Sequence, residues 1–275
     1  MLKVFHKIII VTAIFLAQIN QTQANLIVAP MRVVFEDRAR TETVVLINSS
    51  STAKTYRIQW QQKLALKEGG YHNMTAEEVK NFPIASSMIR MSPKQVTLAA
   101  GQRQLVKLSL RRPRNLPDGE YRSHLLFKEL PSASKNNKAG IQLGMIMNFT
   151  MPVMVRQGDI QQKNAIDNIA LTRSKKTGKT EILITLSRQG KKSSIGDISV
   201  YFTPQNGGEK VEVARVAHFN FYHELTHVIA KPTWFGGSIG AGKLEVIYKG
   251  SKEMSGQVLA RKVFDISPNM VKETR

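Results

Sequence analysis

The stretch IQLGMIMNFTMPVMV, residues 141–155, carries an apolar side chain at every second position: Ile141, Leu143, Met145, Met147, Phe149, Met151, Val153 and Val155. The positions between them hold Gln142, Gly144, Ile146, Asn148, Thr150, Pro152 and Met154. Period two is the mark of a strand, because successive side chains point to opposite faces of a sheet. Fifteen residues at about 3.3 Å each would make a strand roughly 50 Å long, where five or six residues are usual. A strand of that length outruns an ordinary sheet, and no charge interrupts it to blunt an exposed edge. Two readings follow. One is a strand offered to another protein by β-augmentation; the other is a long core strand crossing a sandwich.

The chain on either side is nearly all β. Before the long strand, Val33 to Phe35, Thr43 to Ile47, Thr55 to Trp60, Gln95 to Leu98, Gln104 to Leu110 and Tyr121 to Leu130 are β-branched or aromatic runs. Turn signals separate them: Asn48 to Ser51, Gly69-Gly70, Ala100-Gly101, Pro117-Asp118-Gly119 and Pro131 to Gly140. Short strands at this spacing predict an immunoglobulin-like sandwich of about 130 residues. Thr75 to Lys80 is expected to form a helical turn, with Thr75 capping and Glu78 answering three residues later. After Gln157-Gly158 a second series begins: Ile166 to Thr172, Thr180 to Ser187, Ile198 to Thr203, Ala214 to Ile229 and Gly242 to Tyr248. The expected organisation is an export signal at 1–24, a first sandwich at 25–157, a second at 158–265 and a tail at 266–275.

The signal is read from Lys3 and Lys7 ahead of the apolar run Ile8 to Ala17, with small residues at Thr22-Gln23-Ala24 for cleavage. No later stretch reaches the roughly 20 apolar residues of a membrane helix. The chain has no cysteine, so an exported protein must rest here on apolar cores and not on disulfides. Its 40 Lys and Arg against 20 Asp and Glu give +20, which invites a nucleic-acid reading. Export argues against one, and the basic residues are scattered as short pairs such as Arg111-Arg112 and Lys191-Lys192. Such a charge speeds encounter with an acidic protein or an anionic envelope surface.

His223-Glu224-Leu225-Thr226-His227 spells the zinc-protease pattern H-E-x-x-H. That spacing works on a helix, which puts both imidazoles on one face with the glutamate near a metal-bound water. Here Phe219, Phe221, His223, Leu225 and His227 alternate with polar residues and Tyr222, so the expectation is a strand, on which the two imidazoles stand too far apart to share one ion easily. No convincing third ligand follows. No metal, nucleotide or other cofactor is expected, and no enzymatic activity.

Taken in order, several fragments resemble the PapD-like periplasmic pilus chaperones, and more closely their archaic, or alternative, chaperone–usher branch. They are Ala29-Pro30-Met31-Arg32-Val33-Val34-Phe35, Asp118-Gly119-Glu120-Tyr121-Arg122-Ser123-His124-Leu125-Leu126-Phe127 and Met151-Pro152-Val153-Met154-Val155-Arg156-Gln157-Gly158. Later come Leu186-Ser187-Arg188-Gln189-Gly190, Ser194-Ile195-Gly196-Asp197-Ile198 and Gly242-Lys243-Leu244-Glu245-Val246-Ile247-Tyr248. The resemblance implies two immunoglobulin-like domains set as an L or boomerang, and a long strand lent to subunits that lack one. It places Leu143, Met145 and Met147 as donor side chains, with Ile141 and Phe149 extending the row. It also implies a cleft between the domains where basic side chains hold a subunit's terminal carboxylate. Arg32 matches the family's arginine there, while Pro152 stands where the family usually has a lysine, so Arg122 is the expected replacement. Pro152 also lacks a backbone donor, so strand pairing is expected to be interrupted there. The implied function is a periplasmic chaperone that stabilises pilus subunits by donor-strand complementation and passes them to an outer-membrane usher. Self-association of the free chain is left open by this reading; nucleic acid and stable membrane insertion are not expected. The alternatives are an exported sandwich serving another surface polymer, and a zinc hydrolase using His223, Glu224 and His227.

Overall fold

The structure is a computed structural model that describes residues 26–36, 38–131, 146–175, 178–236 and 239–273. The expected signal segment therefore lies outside the described residues, as do Ile141, Leu143 and Met145. Up to Gln157 the strands are β1 (Ile27–Ala29), β2 (Val33–Phe35), β3 (Thr41–Ile47), β4 (Lys54–Gln61), β5 (Lys63–Ala65), β6 (Tyr71–Asn73), β7 (Ile89–Ser92), β8 (Gln95–Leu98), β9 (Arg103–Leu110), β10 (Gly119–Leu130) and β11 (Asn148–Gln157). One sheet has the order β1-β3-β9-β7 and the other β2-β11-β10-β4-β8, with β5 and β6 forming a separate hairpin. The two sheets enclose one core, in which Phe35, Leu46, Tyr56, Ile58, Leu108, Leu125 and Phe127 are buried. Alternation dictates this: along β4 only Tyr56 and Ile58 turn fully inward, while Arg57 and Gln59 face solvent.

A second set of strands makes a second sandwich: β12 (Gln162–Arg173), β13 (Thr180–Gly190), β14 (Ser194–Pro204), β15 (Val211–Phe221), β16 (His227–Ala230), β17 (Gly242–Gly250), β18 (Val258–Ile266) and β19 (Val271–Glu273). Its sheets run β16-β13-β12-β19 and β15-β14-β17-β18, around a core that includes Ile182, Ile184, Ile198, Val246 and Tyr248. The all-β expectation of two sandwiches holds. Residues 266–275, expected as a tail, contribute a strand, since Val271–Glu273 pairs in parallel with Leu171–Arg173 of β12. The helix α1 (Ala76–Asn81) starts as its capping pattern predicts: the Glu78 N–H donates to Thr75 Oγ1, and the Thr75 N–H to Glu78 Oε2. Among the described residues no helix is long and apolar enough to cross a membrane.

Two expectations are corrected. Ala214 to Ile229 is not one strand: β15 ends at Phe221, a turn follows, and β16 begins at His227. Pro152 does not interrupt the pairing of β11 with β10, whose register runs without a shift from Asn148 to Gln157 and sets Pro152 opposite His124. On its other side β11 pairs with β2 only through Val153 to Val155, so the missing N–H of Pro152 lies beyond the end of that ladder.

Candidate functional site

Strand β11 has two different ends. From Val153 to Val155 it is a central strand, flanked by β2 and β10. From Asn148 to Pro152 only β10 lies beside it, and among the described residues its outer backbone edge has no partner strand. Within the strand, Met151, Val153 and Val155 are buried in the first core and Phe149 packs against it half-buried. Met147 is half-buried one residue before the strand begins. Unpaired backbone beside an apolar row is the template on which another strand adds.

The opposite face of β11 changes character along its length. Asn148 and Thr150 are exposed, Pro152 is intermediate, and Met154 and Arg156 are buried. On β10 the facing residues Glu120, Arg122 and His124 are buried too. They stand directly across the ladder as Glu120 with Arg156, Arg122 with Met154 and His124 with Pro152. A sheet face remote from its own core is dry only if something else covers it. The cover is the β5–β6 hairpin and the second sandwich: Met154 packs with Ala65 of the hairpin and Tyr222 of the turn after β15. The hairpin is fastened to that turn and to β16. The Ala65 N–H donates to Glu224 Oε1 (3.2 Å), Tyr71 to the Tyr222 hydroxyl (3.0 Å), and the Ile229 N–H to the Lys67 carbonyl (3.0 Å). Gly69 and Gly70 close the hairpin at φ +98° and +81°, a left-handed pair that residues with a Cβ rarely adopt.

The arginines of this face meet carboxylates from both sandwiches. Arg156 donates from Nε to Glu120 (2.9 Å), from Nη1 to Glu36, and from Nη2 to Glu253 (3.2 Å), so every nitrogen of its guanidinium is engaged. Burial alone would raise the Glu120 carboxyl. His223, Arg156 and Ser193, whose hydroxyl and N–H both donate to it, hold it far below the usual carboxylate range instead. Arg32, 9% exposed, donates from Nη1 to Asn220 Oδ1 (2.5 Å) and from Nη2 to Glu253 Oε1 (2.6 Å), so Arg32 and Arg156 share one carboxylate oxygen. Arg122, 0% exposed, donates from Nη2 to Glu224 and to the Lys63 carbonyl, with its guanidinium carbon 3.9 Å from the Tyr222 ring centre. The two arginines expected as carboxylate anchors thus converge on one short segment, Asn220 to Glu224. The donor row is described only at Met147 and Phe149.

Of the H-E-x-x-H residues, His223 to Thr226 occupy the turn between β15 and β16 and His227 opens β16, so the motif lies neither on the helix that zinc chemistry needs nor on the single expected strand. Glu224 is taken up by Arg122 and the Ala65 N–H. His223 stands against Glu120, its Nδ1 3.4 Å from Oε1. Arg188 holds the turn by donating to the carbonyls of His223 and Leu225. Glu120, Arg156, Ser193, Asn220 and Glu253 were not singled out as site residues from the sequence. Only the charge pair at Glu120 and Arg156, in fragments of adjacent strands, hinted at them.

Residues 25–160 match the family model described as pili and flagellar-assembly chaperone, PapD N-terminal domain. No curated protein matches the sequence. Among solved structures, the YadV chaperone aligns at 11% identity over 88% of this chain and 100% of its own, with a TM-score of 0.47. A chain from the CsuC–CsuE chaperone–tip adhesion subunit pre-assembly complex of the archaic chaperone–usher Csu pili of Acinetobacter baumannii aligns at 14% identity over 92% of this chain and 100% of its own, with a TM-score of 0.44. The class 5 fimbriae chaperone CfaA aligns at 13% identity over 89% and 100%, with a TM-score of 0.44.

Proposed function

Residues 25–160 make this chain a member of the pili and flagellar-assembly chaperones with a PapD N-terminal domain, and from that premise we propose that it captures pilus subunits by lending them a strand. The lent strand is the segment leading into β11, with Ile141, Leu143, Met145, Met147 and Phe149 as its donor side chains. The observation that carries the reading is the outer edge of β11, which among the described residues lacks a strand partner from Asn148 to Pro152 and is closed by β2 from Val153 to Val155. An added strand therefore has a place to begin and a place where it must stop. Full burial of one donor side chain contributes about 1.5–3 kcal/mol before ordering costs, and methionine side chains adapt to irregular pockets.

In this reading the protein works in the periplasm after cleavage near Ala24, with the division between pilin-binding and second sandwich at Gln157-Gly158. Its partners are pilus subunits and an outer-membrane usher, and it performs no covalent chemistry and uses no cofactor. Arg32 and Arg122 hold the subunit's terminal carboxylate, a task suited to guanidinium geometry.

The test is capture on periplasmic co-expression with pilin genes encoded beside this one. Leu143, Met145 and Met147 replaced together by Asp should lower the yield of co-purified subunit at least about tenfold, since each buried charge costs several kcal/mol. Circular dichroism should show the fold unchanged. Full capture by a folded triple variant would remove the donor-strand assignment.

A further inference from the structure

Both arginines assigned to an incoming carboxylate already hold one, and both of those carboxylates come from the second sandwich: Glu253 on Arg32 and Glu224 on Arg122. The three arginine sites differ in how completely they are satisfied. Arg156 has all its guanidinium nitrogens bonded. Among the described residues, Arg122 uses only Nη2, leaving Nε and Nη1 buried without a hydrogen-bond partner, and Glu224 Oε2 beside it is buried and accepts no hydrogen bond, with His223 Nδ1 3.8 Å away. A buried ion pair with idle donors on one side and an idle acceptor on the other recovers little of its desolvation cost. A carboxylate that engaged Nε or Nη1 in addition would bind Arg122 better than Glu224 does.

The stand-ins can also leave at low cost. Glu224 released from Arg122 keeps the Ala65 N–H, and Glu253 released from Arg32 keeps Arg156. The apolar cluster to be opened between the sandwiches has three buried members, Tyr222, Ala65 and Met154, with Val34 and Leu225 half-buried against them. We propose that Glu224 and Glu253 are built-in substitutes for the subunit's terminal carboxylate, which keep the cleft neutralised in the free chain and are exchanged for that carboxylate on capture. This rests on the chaperone reading above. It explains how a guanidinium as buried as that of Arg122 serves as an anchor: the site is not vacant before capture but occupied from within. A self-occupied anchor lowers apparent affinity by the fraction of molecules in which it is free.

The experiment measures the dissociation constant for the co-expressed pilin that the chain captures, and for the same pilin with a short C-terminal extension that displaces its carboxylate. Glu224→Gln keeps an acceptor for Ala65 but removes the competing charge. It should tighten binding of the native pilin by about tenfold, the gain when an anchor free in about one molecule in ten becomes fully free. The extended pilin should show no gain. Glu224→Asp, which keeps the charge on a shorter stem, should show a smaller gain and covers the case in which the Gln variant does not fold. Unchanged or weaker binding of native pilin by a folded variant would overturn the exchange while leaving the chaperone reading intact, as would an equal gain with the extended pilin. Failure of the wild type to capture any pilin would overturn both.

Discussion

His124 is a buried base with, among the described residues, no hydrogen-bond partner on either ring nitrogen, 2% exposed on the face of β10 that the second sandwich and the hairpin cover. Burial, and then the positive charges of Arg122 and Lys63, push its pKa down from 6.5 to about 3. The folded protein therefore refuses a proton that the unfolded chain accepts near pH 6.5. Between those values the unfolded state binds more protons, so this group's contribution is present above pH 6.5 and is lost as pH falls toward 3, at up to about 1.4 kcal/mol per pH unit. Glu120, also held low, acts in the same direction but only in the carboxylate range. We expect urea midpoints to fall from pH 6.5 to pH 5, and His124→Phe to flatten that slope; parallel slopes for variant and wild type would refute the assignment. None of this was readable beforehand. Alternation places Glu120, Arg122, His124 and Arg156 on one face of a sheet, but it cannot say that another sandwich covers that face.

At the scale of elements, β11 reads clearly in its sequence because one face is core along its whole length, and Met151, Val153 and Val155 are buried as their spacing requires. Met154, on the other face, is also fully buried, because it lies in the joint against Ala65 and Tyr222. Met154→Ala should lower stability by about 2–4 kcal/mol in chemical unfolding, the range for a buried methionine truncated in a site that collapses poorly. A loss below about 0.5 kcal/mol would mean that the joint does not constrain this side chain. Other elements were less legible for physical reasons. Three-residue strands such as β1, β5 and β6 carry too little periodicity to separate from loop. The turn at His223 to Thr226 has the alternation of a strand, yet it bends because Arg188, distant in sequence, gathers its carbonyls.

For the whole molecule, two ordinary sandwiches meet through a mostly ionic joint, and the strand at that joint has a satisfied end and an unsatisfied one. Salt bridges fix the end near Arg156; the end near Asn148 lacks, among the described residues, a neighbour on its outer edge and leads back into the apolar row that begins at Ile141. The charge of +20 comes from 40 Lys and Arg against 20 Asp and Glu, scattered along the chain and not gathered in one run. Of this arrangement the sequence displays the two sandwiches and the apolar row from Ile141 to Val155, through patterns local to each segment. The joint arises from contacts between residues far apart in the chain, such as Ser193 with Glu120, Arg122 with Glu224 and Arg32 with Glu253, and no local pattern encodes them. The most direct test of the central claim is a residue-resolved crosslinking map, or a structure, of the chain co-expressed with a neighbouring pilin. The account predicts a one-to-one complex with residues 141–149 paired along the pilin's groove; a complex that forms with that segment unprotected and uncrosslinked would contradict it.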